Sequence, residues 1–289
     1  QEFDLSVWEK EIGRWRLEEI WNADLWVWIV GPSTRLDLDD SENRRLARLT
    51  SLFWQGLQLQ RPAIVRSAWV LTGSLESGRP NVRSVEQYPQ IFIKEPDREF
   101  TLPGLREAAT TAQNLRRFYA SRARTGRLER GLAAFFAGMR STHVDESILA
   151  HVRSVESVLH PKSKDQFVKR ASAVFSVSGW QKPTLAKLLA RLYDARSGLT
   201  HAETLTKIFK GLPRKKALHR AQRFQALSYL LASEAHCAVL RNRELLRRFS
   251  KEGQGDYWGD VLSGKRDAPF NIVLDPRDLS FGADALHEG

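Results

Sequence analysis

Cysteine is almost absent from this chain of 289 residues. Because Cys237 is the single cysteine, no disulfide can form within the chain, and a zinc site built on several cysteine ligands is excluded. A chain without disulfides is typical of a reducing compartment. We expect Cys237 to be a small buried residue on a helix.

Long hydrophobic runs are also missing. The longest run, LWVWIVG from Leu25, is too short to cross a bilayer. The opening segment before it is acidic and amphipathic and has no basic leader. These features predict a cytoplasmic protein with no membrane partner.

Several signatures of catalytic sites have no counterpart in the sequence. It contains no glycine-rich phosphate loop, no serine elbow and no histidines at zinc-ligand spacing. An acidic cluster, Asp37, Asp39, Asp40 and Glu42, precedes a predicted helix. Capping of that helix explains the acids more simply than a metal site does. We therefore expect neither a metal nor a cofactor.

Positive charge is in excess, and it is unevenly distributed. The formal net charge is +11, but residues 1–60 carry 7 basic and 11 acidic groups, whereas residues 101–250 carry 28 basic and 10 acidic groups. This middle region attracts polyanions, and nucleic acid is the commonest large polyanion in a cytoplasm. The charge could instead serve solubility alone. Of the two explanations we favour contact with nucleic acid.

The pattern of apolar residues predicts a mainly α fold, in which a helical bundle follows a smaller mixed α+β region. Residues 1–122 form the mixed region, residues 123–250 the bundle, and residues 251–289 an irregular tail with at most a short strand at FNIVLD. Within the first region we expect one helix over the opening segment and another from about Asn43 to Gln60. A strand is expected at LWVWIVG, and further strands or short buried segments are expected at AIVRSAWVLTG and QIFIKEP. The last helix of the bundle is expected from about Ala217 to Phe249.

Tryptophan is concentrated near the N-terminus. Seven of the nine tryptophans lie before residue 70. Their neighbours are aliphatic or acidic rather than basic, which favours a packed core or a partner surface over a platform for stacking bases.

The most informative segment is LYDARSGLTHAE, residues 192–203, which holds Arg196, Ser197 and His201. Arginine stays protonated and histidine titrates near neutrality, so together they can hold a phosphate and move a proton. The spacing alone is uninformative, because a chain this rich in arginine contains about two such pairs by chance. Two other pairs are indeed present: Arg153 with His160, and Arg214 with His219.

The position of Arg196 on its helix is more informative than the spacing. An apolar stripe at helical spacing precedes it, and Arg196 falls in the middle of that stripe. The stripe is formed by Leu185, Leu189 and Leu192. Because a buried charge is costly unless it is paired, we expect a carboxylate, a phosphate or a partner subunit beside Arg196.

His201 is badly placed for joint action with Arg196 on a continuous helix. It would lie about 160° around the helix from the first leucine of the stripe. Gly198 lies between the two residues, and we expect it to break or bend the helix and turn His201 back toward Arg196.

Four segments together resemble the HEPN superfamily, and the Apea-like HEPN branch is the nearest match. They are RLERGLAAFFAG, ILAHVRSVESVL with Glu156, the pair Lys169 and Arg170 before ASAVF, and LYDARSGLTHAE. The resemblance covers about residues 124–249. In this branch a glycine often follows the histidine, where this chain has Ala202.

The resemblance implies a helical bundle that forms a homodimer through the faces bearing the motif. Many members are metal-independent endoribonucleases of toxins, anti-phage systems and RNA processing, and others only bind. Carried over by position, Arg196 is the family's arginine, Ser197 its polar residue and His201 its histidine. His201 would take the proton of a ribose 2′-OH, and Arg196 would neutralise the charge on the phosphorane. A histidine of the second subunit would protonate the leaving 5′-oxygen, leaving 2′,3′-cyclic phosphate and 5′-OH ends.

Other residues of these segments have supporting roles. Ser197 either hydrogen-bonds the phosphate or caps the helix. For Glu156 and Arg170 we favour a partly buried ion pair that fixes the bundle over a place in the site. Asp194 either restrains the arginine or faces solvent, and Tyr193 is expected to pack in the bundle.

A basic stretch follows the motif. No acid occurs between Glu203 and Glu234, so this stretch is the best candidate for a track that binds RNA. Its basic residues are Lys207, Lys210, Arg214, Lys215, Lys216, Arg220 and Arg223. A second basic run, from Arg116 to Arg130, contains a single acid. A solvated helix face is the alternative for both runs.

Two functions remain. The first is a ribonuclease, a toxin or defence effector whose N-terminal region senses a trigger or binds a regulatory protein. The second is a non-catalytic HEPN module that binds RNA, a nucleotide or a protein. The intact pair of Arg196 and His201 favours the enzyme, because a pure binder needs no titrating group there.

Overall fold

Helices dominate the chain, which confirms the predicted mainly α fold. The computed structural model describes residues 4–23, 26–31, 41–60, 68–76, 79–88, 101–120, 126–201, 203–209, 212–249 and 255–275. The first half of these ranges contains α1 (Leu5–Ile12), α2 (Arg14–Trp21), α3 (Ser41–Gln60), β1 (Ala68–Glu76), β2 (Arg79–Tyr88), α4 (Leu102–Ala120), α5 (Arg127–Arg140) and α6 (Val144–Leu159). The second half contains α7 (Lys164–Val174), β3 (Phe175–Val177), α8 (Lys182–Thr200), α9 (Leu205–Ile208), α10 (Arg214–Arg241), α11 (Arg243–Phe249), α12 (Gly255–Leu262) and β4 (Ile272–Leu274).

A small α+β unit occupies the N-terminal part, where α1 and α2 pack on the antiparallel hairpin β1–β2. The single opening helix that the sequence predicts is divided at Gly13, whose φ of 83° favours glycine. The unit has its own core, in which buried side chains of α1 and α2 pack against the hairpin. These are Trp8, Ile12 and Ile20, with Trp69, Leu71, Val82 and Val85 from the strands.

The strand predicted at LWVWIVG is wrong for its described residues. Residues 26–31 have no regular secondary structure. Their side chains are exposed, Trp28 to 50% and Val30 to 84%, so this apolar run is not half-buried in a sheet as a strand requires. Trp15 and Trp21 are exposed as well, whereas Trp8 is buried and Trp54 and Trp69 pack against the two cores. The expected packed core thus holds for three of the seven tryptophans, and a partner surface stays a prediction for the exposed ones. The strand or short buried segment expected at QIFIKEP lies outside the described residues.

The main core is larger than the predicted bundle. Leu59 of α3 and Phe118 of α4 belong to the same buried cluster as α5 to α8 and α10, so this cluster crosses the boundary predicted at residue 122. Side chains of α10 satisfy the last carbonyls of α3: the Tyr229 hydroxyl donates to the Gln58 carbonyl at 2.6 Å, and Ser233 and the Cys237 thiol donate to that of Leu59. Cys237 is buried, as predicted.

Residues 255–275, the described part of the predicted tail, contain more regular secondary structure than predicted. Trp258 of α12 is fully buried in the main core, which explains why residues 255–262 form a helix rather than an irregular tail. The short strand expected at FNIVLD is confirmed, since β4 pairs in parallel with β3. The long helix expected to end at Phe249 divides at Asn242, whose side chain accepts from the backbone N–H of Glu244 and thus caps α11. Along the described ranges, no helix combines the length and the apolar character that a membrane span requires.

Two glycines allow α5 and α6 to approach closely. A Cβ on Gly131 would overlap the Ser157 side chain, and one on Gly138 would lie 2.8 Å from the His151 ring. These contacts run in opposite directions along the two helices, so α5 and α6 are antiparallel. His151 of α6 and His236 of α10 are fully buried behind this contact.

We predict that Gly131→Ala destabilises the fold. The added methyl group has no space against Ser157, and overpacking of this kind costs about 1–3 kcal/mol in the free energy of unfolding. Urea unfolding followed by circular dichroism measures the change. The matched control is Gly104→Ala in α4, where the new Cβ makes ordinary contact with Thr101; there the helix propensity of alanine raises stability by up to about 1 kcal/mol. Equal effects of the two variants would contradict the close contact.

We also predict that the two buried histidines make the fold sensitive to acid. Burial lowers the pKa of His151 and of His236 from 6.5 to about 3. Below pH 6.5 the unfolded chain therefore takes up protons that the folded chain cannot. The free energy of unfolding falls from there toward pH 3, by about 1.4 kcal/mol per pH unit for each histidine.

Urea unfolding between pH 7 and pH 4.5 measures this slope. His236→Gln should reduce it by the contribution of one histidine, and His151→Gln is the equivalent variant on α6. His219→Gln, at an exposed position of the same helix as His236, should leave it unchanged. A slope that is the same in all variants would show that other groups cause the acid sensitivity.

Candidate functional site

Arg196 lies on the buried face of α8, as the sequence predicts. The leucines of the predicted stripe are all buried, and the Arg196 side chain is 23% exposed. Its Nη2 donates to Oε2 of Glu156 on α6 at 3.0 Å, and the Glu156 side chain is 17% exposed. The partner that a charge on an apolar face requires is therefore a carboxylate from a neighbouring helix.

Glu156 is surrounded by positive charge. Burial raises the pKa of its carboxyl group, and the charges of Arg196, Arg153 and Arg127 oppose that rise. Arg153 lies one turn before Glu156 on α6, and Arg127 is the first residue of α5. Sequence reasoning did not assign either arginine to the site, although Arg153 belongs to one of the alternative arginine–histidine pairs and Arg127 to the second basic run.

The guanidinium of Arg196 has further contacts and one unused donor. It lies over the ring of Tyr193, 5.5 Å from the centroid, and that ring packs against Phe167. Tyr193 thus packs in the bundle, as expected. Within the described part of the chain, Nε of Arg196 is buried and has no acceptor. Such a donor lacks the hydrogen bond that a buried polar group normally makes.

Asp194 and Arg170 do not hold Arg196. The Asp194 carboxylate faces solvent and binds Nζ of Lys164 at 2.5 Å. Arg170 is 5% exposed and donates to the carbonyls of Leu159 and His160 at the end of α6. The ion pair favoured between Glu156 and Arg170 is therefore wrong, because Arg170 instead satisfies backbone carbonyls that the helix end leaves without intrahelical partners.

The expected bend at Gly198 is also wrong. Helix α8 continues through Gly198 to Thr200, and His201 is its C-cap, with its backbone N–H donating to the Gly198 carbonyl at 3.0 Å. A Cβ on Gly198 would lie 2.9 Å from Ile208, so the glycine allows α9 to pack closely against α8. The bend was predicted from the conformational freedom of glycine, whereas the helix uses its small size.

His201 consequently points away from Arg196 within one chain. Five positions on an unbroken helix separate them by about 140° around the axis and about 7.5 Å along it. His201 is exposed, whereas Arg196 faces α6. Ser197 is half-buried between them, and its carbonyl accepts from the N–H of His201 at 3.3 Å. The structure joins Arg196 to Glu156 and leaves His201 on a different side.

The residues predicted to bind RNA lie on α9 and α10. Lys207 is exposed and forms an ion pair with Glu203 at 2.7 Å, while Lys210 lies outside the described residues. The first turn of α10 carries three exposed cations, Arg214, Lys215 and Lys216, and Arg220 follows one turn later as a half-buried residue. Cations are unfavourable at the positive end of a helix dipole, so this terminus attracts anions strongly.

The other two arginine–histidine pairs have different surroundings. His219 lies within α10, five positions after Arg214 on a continuous helix. His160 ends α6 in the left-handed conformation, with φ of 55°, and burial together with the charge of Arg127 lowers the pKa of its ring. Among the residues that the structure describes, no group of three or more histidine, cysteine or acidic side chains is placed to hold a metal ion.

Comparison with protein-family models, with curated protein sequences and with solved structures finds no match to this chain. The assignment of a function therefore depends on the geometry around Arg196 and on the residues of the motif.

Proposed function

We propose that the protein is a metal-independent endoribonuclease of the HEPN type, whose site forms where two copies of the chain meet. RNA is its substrate, and a 2′,3′-cyclic phosphate and a 5′-OH are the product ends. A role as a toxin or defence effector in the cytoplasm, regulated by a protein bound to residues 1–122, is part of the same proposal.

The observation that carries the proposal is the way in which neighbouring side chains hold the guanidinium of Arg196. Its guanidinium is held in place by Glu156 and Tyr193 on the buried face of α8, with Nε left unused. An arginine fixed in this way loses little conformational entropy when it binds a phosphate, and it is always protonated. It is thus suited to stabilise the charge that builds on a phosphorane.

A second copy of the chain would supply the proton acceptor. His201 of the same chain lies on another side of α8, whereas His201 at the exposed end of a second α8 can approach Arg196 if the two motif-bearing faces meet. In the proposed step this histidine removes the proton from the 2′-OH, whose oxygen forms a bond to phosphorus. The bond to the 5′-oxygen breaks, and a histidine of the pair returns a proton to that oxygen.

The charge distribution supports RNA as the substrate. The exposed cations at the start of α10 follow the motif directly in the chain, and together with the charge of the middle region they attract a polyanion. No step of the proposed mechanism requires a metal, so activity in the presence of a chelator is its distinguishing property.

A non-catalytic module that binds RNA is the second candidate. The separation of about 140° between Arg196 and His201 favours it, because within a single copy the two side chains cannot act on one phosphate. In that case Arg196 contributes only to the binding of RNA, and His201 has no role in chemistry.

We predict that the purified protein cleaves total RNA in EDTA, and that His201→Ala and Arg196→Ala each reduce the rate at least about 100-fold. Mapping of the ends should find 2′,3′-cyclic phosphates. His143→Ala, which removes an exposed histidine at the opposite end of α6 from Glu156, is the control and should retain full activity. Cleavage that persists in His201→Ala, or an absence of cleavage in the wild type, would exclude the enzyme and favour the binding module.

Mixing the two inactive variants tests whether the site is shared. If Arg196 of one copy acts with His201 of the other, a dimer of unlike variants keeps one intact pair, and random exchange restores up to about a quarter of wild-type activity. If both residues act within one chain, every site contains a substitution and the mixture stays inactive. The readout is the cleavage rate after the two variants have been incubated together.

A further inference from the structure

We propose that Arg153, together with Arg196 and Arg127, forms a second phosphate-binding subsite around Glu156, at the end of the bundle where α5 begins and α6 ends. The ligand class is a phosphodiester backbone. That the phosphodiester is RNA rests on the proposed function. The RNA would then run from Arg196 along α6 toward the start of α5, and not along α9 and α10 alone.

The arrangement follows from the packing of the helices. Glu156 binds Arg196 of α8 directly, and Arg153 is its neighbour three positions earlier on the same helix, a spacing that places two side chains on one face. Gly131 of α5 packs on Ser157 of α6 in antiparallel register. One turn earlier, Arg127 therefore lies beside the last turn of α6.

The positive charges of Arg196, Arg153 and Arg127 all act on the single carboxylate of Glu156. Arg196 uses one nitrogen to bind the carboxylate and keeps a buried Nε without an acceptor in the described residues. Arg153 is exposed, and the described residues include no ion-pair partner for it. The positive charge of Arg127 acts on Glu156 and also on His160. A phosphate between Arg153 and Arg196 would receive donors from both.

The start of α5 adds to this field. Gly126 is its N-cap and offers no side chain to the first N–H groups of the helix. The positive end of the helix dipole thus lies next to Arg127, on the side of the bundle where Arg153 and Arg196 flank the carboxylate. Glu156 positions Arg196 and at the same time reduces the positive charge of the subsite.

The test measures binding of a fluorescent 2′-O-methyl RNA oligonucleotide, which has no free 2′-OH and cannot be cleaved by the proposed mechanism. Fluorescence anisotropy at several salt concentrations gives the affinity and its dependence on salt. Arg153→Ala should weaken binding several-fold and reduce the slope of log K against log salt by about 0.7 for each phosphate that the variant no longer binds. Arg153→Lys should retain most of the slope, and Glu156→Gln should strengthen binding.

The matched control is Arg140→Ala, which removes the same charge at the other, exposed end of α5. It should leave the salt slope unchanged. If Arg140→Ala and Arg153→Ala have equal effects, or if Arg153→Ala leaves the slope as it is in the wild type, the subsite does not exist. Absence of binding by the wild-type protein also overturns it.

The result is separable from the test of the proposed function. A protein that cleaves RNA but shows no effect of Arg153→Ala is a nuclease without this subsite. A protein that binds the oligonucleotide through Arg153 but cleaves no RNA has the subsite without the activity.

Discussion

The close contact between α5 and α6 is the constraint on which the rest of the structure depends. Without side chains at Gly131 and Gly138, the two helices approach until Ser157 and His151 fill the space beside them. This approach brings the start of α5 next to the end of α6. The distance between Arg127 and Glu156 is therefore set by the packing of Gly131 on Ser157, one turn from Arg127 and next to Glu156 in the chain.

Two buried histidines of this core, His151 and His236, lie beside serine hydroxyls. The His236 ring is 2.8 Å from the Ser154 hydroxyl, which links α10 to α6, whereas the Ser147 hydroxyl is 3.4 Å from the His151 ring one turn away on the same helix. Neutral rings of this kind require a defined arrangement, because a buried polar group without a partner is costly. The contact between His236 and Ser154 favours one register of α10 on α6, the helix that carries Glu156 and Arg153.

Sequence periodicity predicted those parts of the fold and of the site that depend on one helix at a time. The stripe on α8 identified Arg196 as a charge that needs a partner, and the structure provides one. The choice of Glu156 over Asp194 as the partner of Arg196 could not be predicted, because Glu156 is 40 positions away and its contact depends on how α6 and α8 pack. The same limit applies to Arg127, whose charge reaches Glu156 only because α5 and α6 pack together.

Local composition was misleading where a residue has two properties that favour different structures. Gly198 is flexible and also small, and in α8 only its size matters. The apolar run at residues 26–31 favours a strand, yet a strand also needs a neighbour that covers it, and sequence composition does not report whether one is present. Trp258 had the opposite effect, since a composition typical of a loop conceals one large side chain that the core buries completely.

The carbonyls at the end of α3 connect the fold to the order in which the chain is made. Gln58 receives its hydrogen bond from Tyr229, a residue 171 positions later. At ordinary rates of translation, about 5–20 residues per second, α3 leaves the ribosome roughly 10–30 seconds before Tyr229, whose hydroxyl donates to the Gln58 carbonyl. During that interval the end of α3 and the apolar faces of α3 and α4 must remain hydrated or be covered by a chaperone. The main core can close only after the last third of the protein has been synthesised.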